Sequence, residues 1–153
     1  MNKAKSVILF LIIILVIVAI AIYAKDGYIS RRDNADSYTI GKDTVISVKS
    51  VVGKRNITNV SSKLERGILT KKYVYNIDKN IIDDVTKYTD KLKENGFLTV
   101  TKPDLSQSSG TAKYGKASIE SGKVVFVEIS YNAQGYTITL LSGTGTISKS
   151  NSN

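Results

Sequence analysis

The chain has 153 residues and a net charge of +9, with 42% apolar side chains, and its residues 26–153 suit one domain rather than two. It contains no cysteine and no histidine. Disulfides, thiolate metal sites and every Ser-His-Asp or Cys-His arrangement are therefore excluded, and the usual general base near neutral pH is missing.

Val7 to Ala24 form one apolar run of eighteen residues, fourteen of them Val, Ile, Leu or Phe, with Lys3 and Lys5 ahead and Lys25-Asp26 behind. As a helix the run reaches about 27 Å, close to the thickness of a bilayer core. It is longer than the apolar region of a cleaved signal peptide, about 7–15 residues, and it lacks the polar stripe of a core helix. The expectation is a basic leader at 1–6 and an uncleaved transmembrane signal anchor at 7–24. Without a cysteine after the run, a lipoprotein anchor is excluded on chemistry. Lysines and arginines flank both sides, so the positive-inside count does not orient the span. Long trailing domains cross largely regardless of charge, and the reading places the C-terminal domain outside a cell membrane.

Residues 25–37 are polar and aperiodic and read as a stalk. An α+β domain is expected over 38–142. Thr44–Val52 is rich in β-branched residues and reads as a strand closing at a turn over Gly53–Asn56. Ile57–Glu65 has weak alternation and is ambiguous. Ile68–Ile77 reads as a strand with Tyr73, Tyr75 and Ile77 on one face. A helix follows, capped by Asn80, with Ile81, Val85, Tyr88 and Leu92 on one buried stripe. Asp83 and Asp84 suit its first turn, Lys91 and Lys93 its last, and Asp83 pairs with Lys87 four residues on. Gly96 takes the left-handed stop, with Phe97 folded back on Leu92.

Strands are then expected at Phe97–Lys102, ended by Pro103, and at Lys113–Glu120, Lys123–Asn132 and Tyr136–Ser142. The flexible loop Asp104–Gly110, a two-residue turn at Ser121-Gly122 and a longer turn at Asn132–Gly135 separate them. Lys123–Asn132 is apolar on both faces through Val127 and reads as central. A flexible tail occupies 143–153. The architecture expected is an N-terminal transmembrane helix followed by one helix packed on a curled antiparallel β-sheet, similar in outline to cystatin-like folds.

Few residues carry chemistry. Asp83-Asp84 is the only adjacent carboxylate pair, and neighbours on a helix diverge by about 100°. No phosphate-loop or calcium-loop spacing occurs; Gly143-Thr144-Gly145 is an isolated fragment, and Asn56-Ile57-Thr58 and Asn59-Val60-Ser61 match glycosylation sequons only by pattern. Without an activated serine, a Ser–Lys or carboxylate enzyme is the weaker alternative, and neither a cofactor nor a metal site is expected. Lys71, Lys72, Lys113, Lys116 and Lys123 interleave with Tyr73, Tyr75, Tyr114, Tyr131 and Tyr136. The tyrosines read first as strand-packing residues. The lysines form a possible anionic-ligand face, and residues 26–153 carry 19 basic and 13 acidic groups, or +6.

Asp84-Val85-x-x-Tyr88-x-x-x-Leu92-x-x-x-Gly96-Phe97, followed by strands and a close at Leu141-Ser142-Gly143, resembles a PASTA domain. That resemblance implies a module anchored outside a Gram-positive cell and linked to peptidoglycan; the family's opening Pro-x-x-x-Gly region is absent, with Ile77-Asp78-Lys79 in its place. The layout of apolar helix and β-rich head is similar to a pilin, but Lys3-Ala4-Lys5-Ser6-Val7 lacks the processing site and glutamate of that family. The function expected is a membrane-anchored, exported, non-enzymatic binding or structural module of a bacterial cell envelope. Its partners would be the bilayer through 7–24 and an anionic wall polymer, lipid headgroups or another membrane protein; no nucleic acid is expected.

Overall fold

The structure, a computed structural model, describes residues 35–147, which belong to one compact unit, Asp33–Asn153. The leader, the anchor at 7–24, most of the stalk and residues 148–153 lie outside the described residues. Among the described residues no helix is long and apolar enough to cross a membrane.

The domain is a mixed α+β fold with two helices and antiparallel strands. In chain order the elements are β1 (Ser37–Ile40), β2 (Asp43–Ile46), α1 (Val48–Val52), β3 (Ile57–Glu65), β4 (Ile68–Asn76) and α2 (Ile81–Glu94). They are followed by β5 (Leu98–Thr101), β6 (Gly110–Ala117), β7 (Lys123–Asn132) and β8 (Gly135–Thr144). β1 and β2 form a separate hairpin, and the other six strands form one sheet in the order β3-β4-β8-β7-β6-β5. β7 lies inside the sheet, as its two apolar faces require.

The sheet is neither closed nor strongly curled, contrary to expectation. Strong curvature needs bulges or glycine kinks across the middle of a sheet. Here the register runs unbroken through β4, β8, β7 and β6, and breaks only at Ile57/Asn59 and Thr99/Thr101 in the end strands.

Strand alternation puts Tyr73 and Tyr75 on one face with Tyr136, Ile138 and Leu140 of β8, Val125, Val127, Ile129 and Tyr131 of β7, and Tyr114 of β6; all are buried. Val85, Tyr88 and Leu92 of α2, with Tyr38, Ile40 and Val45 of the β1–β2 hairpin, complete this core. Burying each of these large side chains contributes roughly 1.5–3 kcal/mol. Ile81, the first residue of the expected stripe, is only half-buried. The helix stop forms as the sequence implies: Gly96 has φ +81°, Gly96 N–H donates to Lys93 O at 2.9 Å, and Phe97 N–H donates to Leu92 O at 3.0 Å. Asp83 pairs with Lys87 at 2.8 Å.

Several local expectations are corrected or resolved. Thr44–Val52 is not one strand: β2 ends at Ile46 and α1 follows, because the Ser47 side chain accepts from Ser50 N–H at 3.2 Å and Gly53 ends the turn. Ile57–Glu65 is a full strand. Asn80 makes no side-chain cap; it sits in the left-handed region at φ +62°. The strand expected over Lys113–Glu120, β6, begins at Gly110 and ends at Ala117. Ser118 and Ile119 turn away to bind the buried carboxylate of Asp43, through Ser118 Oγ at 2.5 Å and Ile119 N–H at 2.9 Å. The connection between β6 and β7 is accordingly longer than the expected Ser121-Gly122 turn. β8 also extends into the expected tail, to Thr144.

Candidate binding groove

The five lysines of the expected anionic face do not share one face. Lys71 lies in register with Leu140 on the covered side, and its Nζ donates to Thr39 O at 2.6 Å. Lys116, in register with Val125 on that same side, donates to Asn95 O at 3.0 Å, at the end of α2. Lys123, two residues before Val125, donates to Glu120 Oε2 at 2.9 Å. Lys72 and Lys113 point the other way, in one row running Lys72, Thr139, Glu128, Lys113. Lys113 is 4.0 Å from Glu128 and 5.0 Å from the Phe126 ring centroid.

The tyrosines are core residues. Tyr73, Tyr75, Tyr114, Tyr131 and Tyr136 are all buried. Tyr38 stacks on Tyr73 with centroids 4.2 Å apart, and its hydroxyl is hydrogen-bonded to that of Tyr75. Tyr131 donates to Asp104 O at 2.7 Å and Tyr88 to Ile46 O at 2.9 Å. Burial raises the hydroxyl pKa of Tyr75, Tyr88 and Tyr136, the last with a further contribution from Asp84. Tyr38 and Tyr88 are buried as well, so the tyrosines among the described residues pack in the core.

Sequence reasoning missed one cluster. Asp84, only 2% exposed, accepts from Arg55 Nε at 2.6 Å, from Arg55 Nη2 at 2.8 Å and from Tyr136 Oη at 3.2 Å. The hydrogen bond to Asp84 raises the pKa of the Arg55 guanidinium further. This bidentate pair ties the loop after α1 to α2 and β8. Asp84 is buried beneath its own donors, and the cluster braces three segments against one another. Its partners lie 29 and 52 residues away, and no local pattern announces them.

A groove of about 510 Å³ lies at the end of the sheet where β3 and β4 meet the β7–β8 turn. Thr58, Asn76, Ser130, Asn132, Gln134 and Thr137 supply polar lining, Val74, Tyr75, Tyr131, Gly135 and Tyr136 complete it, and no lining residue is charged. Ser130, Thr137 and Val74 share one row across β7, β8 and β4. Asn132 Oδ1 accepts from Gln134 N–H at 2.8 Å, and Ile77 N–H donates to Gln134 O at 3.2 Å, which fixes the turn at the rim. Gly135 closes that turn at φ +142°, where an added Cβ would lie 2.1 Å from Tyr75 O. Such a lining offers neutral donors and acceptors in both senses, suited to hydroxyl and amide groups. Among the described residues no group of three or more His, Asp or Glu converges as a metal site.

No family model, curated protein or solved structure matches this chain. The likeness to PASTA modules therefore stands on the helix-stop residues alone.

Proposed function

We propose that the chain is a single-span, non-enzymatic binding module of a bacterial cell envelope, tethered through residues 7–24 with its α+β head outside the membrane. The ligand proposed is neutral and rich in hydroxyl and amide groups, as a wall glycan is. The observation that carries this reading is the uncharged polar groove in a chain of net charge +9. An anionic polymer would be recognised by converging lysines, and three of the five candidates are held by acceptors of the protein itself.

Titration of the head with soluble peptidoglycan glycan strands tests the ligand. Amide resonances of Ser130, Asn132 and Thr137 should shift, and Asn132→Ala should weaken binding about fivefold, the equivalent of one hydrogen bond of about 1 kcal/mol. The affinity should hold between low and physiological salt, whereas an anionic ligand would lose affinity steeply. Shifts confined to the lysine-bearing strands, or a steep salt dependence, would reject the neutral groove. Protease shaving of intact cells tests the topology: a head protected until lysis would reject export.

A further inference from the structure

We infer that β3 is a homodimerisation edge, on which a second copy of this chain adds its own β3 antiparallel to make one continuous twelve-stranded sheet. The inference is independent of the groove and of its ligand. Both end strands of the sheet carry outward backbone groups, and natural sheets blunt such edges with short strands, bulges or proline. β5 is blunted in all three ways: it has four residues, a register break at Thr99/Thr101, and Pro103 just beyond it. β3 is not. It runs for nine residues without proline, its register breaks only at its start, and among the described residues no strand pairs with its outer side.

The sequence of β3 is complementary to itself. A two-fold axis perpendicular to the sheet requires directly facing residues to lie on the same face. With Ser62 on the axis, Ser61 faces the second copy's Lys63, and Val60 faces its Leu64. Val60 and Leu64 lie on the covered face, in register with Tyr73 and Leu69, and Leu64 is 72% exposed in one copy. The pairing makes two symmetric Val–Leu contacts that continue the apolar layer. Lys63 and Glu65 pair within one copy at 2.6 Å, so the strand brings no net charge to the axis. Centring the axis on Lys63 would instead oppose two ammonium groups. Lys71 and Lys72 lie one strand inward, about 14 Å from their mates, beyond a screening length of about 8 Å.

The absence of cysteine makes the test specific. Full-length Ser62→Cys and Glu65→Cys variants are reconstituted in lipid vesicles and mildly oxidised. Facing positions on an antiparallel pair have Cα atoms about 4.5–5.5 Å apart, within disulfide reach. Two Glu65 positions would be about 20 Å apart. Ser62→Cys should link at least tenfold faster than Glu65→Cys, and adding Leu64→Lys should cut that rate at least tenfold. Leu64 is exposed, so the lysine leaves the single head folded. Light scattering of the detergent-solubilised wild type should give twice the chain mass. Equal linking at both positions, no linking at Ser62→Cys, or a wild-type monomer would overturn the dimer.

Discussion

Asp84→Ala tests whether the Arg55–Asp84 strut holds the domain together. The substitution removes the acceptor of three hydrogen bonds in one step. Breaking a buried ion pair costs about 3–5 kcal/mol. The Arg55 side chain is 25% exposed and keeps part of its hydration, so the lower end, about 3 kcal/mol, applies. The orphaned Tyr136 hydroxyl adds about 1 kcal/mol. Urea unfolding of the head followed by circular dichroism should therefore show a loss of about 4 kcal/mol with an unchanged slope. The melting temperature should fall by about 10–15 °C. Replacing both partners, Arg55→Met with Asp84→Leu, should restore most of the loss, because an apolar pair carries no desolvation penalty. A loss under about 1 kcal/mol for Asp84→Ala, or a double variant equal to the sum of the singles, would refute the strut.

Gly135→Ala should destabilise by more than about 2 kcal/mol, since its Cβ would strike Tyr75 O and φ +142° suits only glycine; an unchanged urea midpoint would show that the turn adjusts. Leu92→Ala, at a fully buried site facing the sheet, should cost about 2–5 kcal/mol by the same assay, and a cost below about 1 kcal/mol would mean the helix stripe is loosely held. Burial raises the pKa of Tyr75, Tyr88 and Tyr136 in the folded state above the ordinary value of 10.0. The unfolded chain then loses these protons first, so stability is full below about pH 10 and falls as pH rises beyond it. Tyrosinate absorbance from these residues should appear only together with loss of circular dichroism. Complete titration of all tyrosines near pH 10 with the fold intact would refute this.

Elements whose side-chain period matches their environment were legible. Val85, Tyr88 and Leu92 mark α2, Gly96-Phe97 its stop, and the alternation of Tyr73 and Tyr75 marks β4. Elements made by local hydrogen bonding against propensity were not. Val48, Val51 and Val52 favour a strand, and the turn of α1 forms because Ser47 caps it and Val48 is buried beneath it. Ser47-x-x-Ser50 followed by Gly53 was the available signal. Asp84 was read through its own helix as a dipole partner, whereas its environment is set by Arg55 and Tyr136 from distant segments. The division of the lysines between two faces likewise depends on register, which one strand alone does not specify.

The strand order also governs how the domain is assembled. β4 pairs with β8, so Leu69 meets Ser142 and the first half of the sheet is completed by the last of the described strands. Pairings of such long sequence separation form late and fold in milliseconds to seconds once the chain is complete. At synthesis rates of about 5–20 residues per second, the β3–β4 hairpin waits roughly 3–14 s before β8 exists to shield Tyr73 and Tyr75. During that interval Tyr73 and Tyr75, two of the seven buried tyrosines among the described residues, are open to other chains.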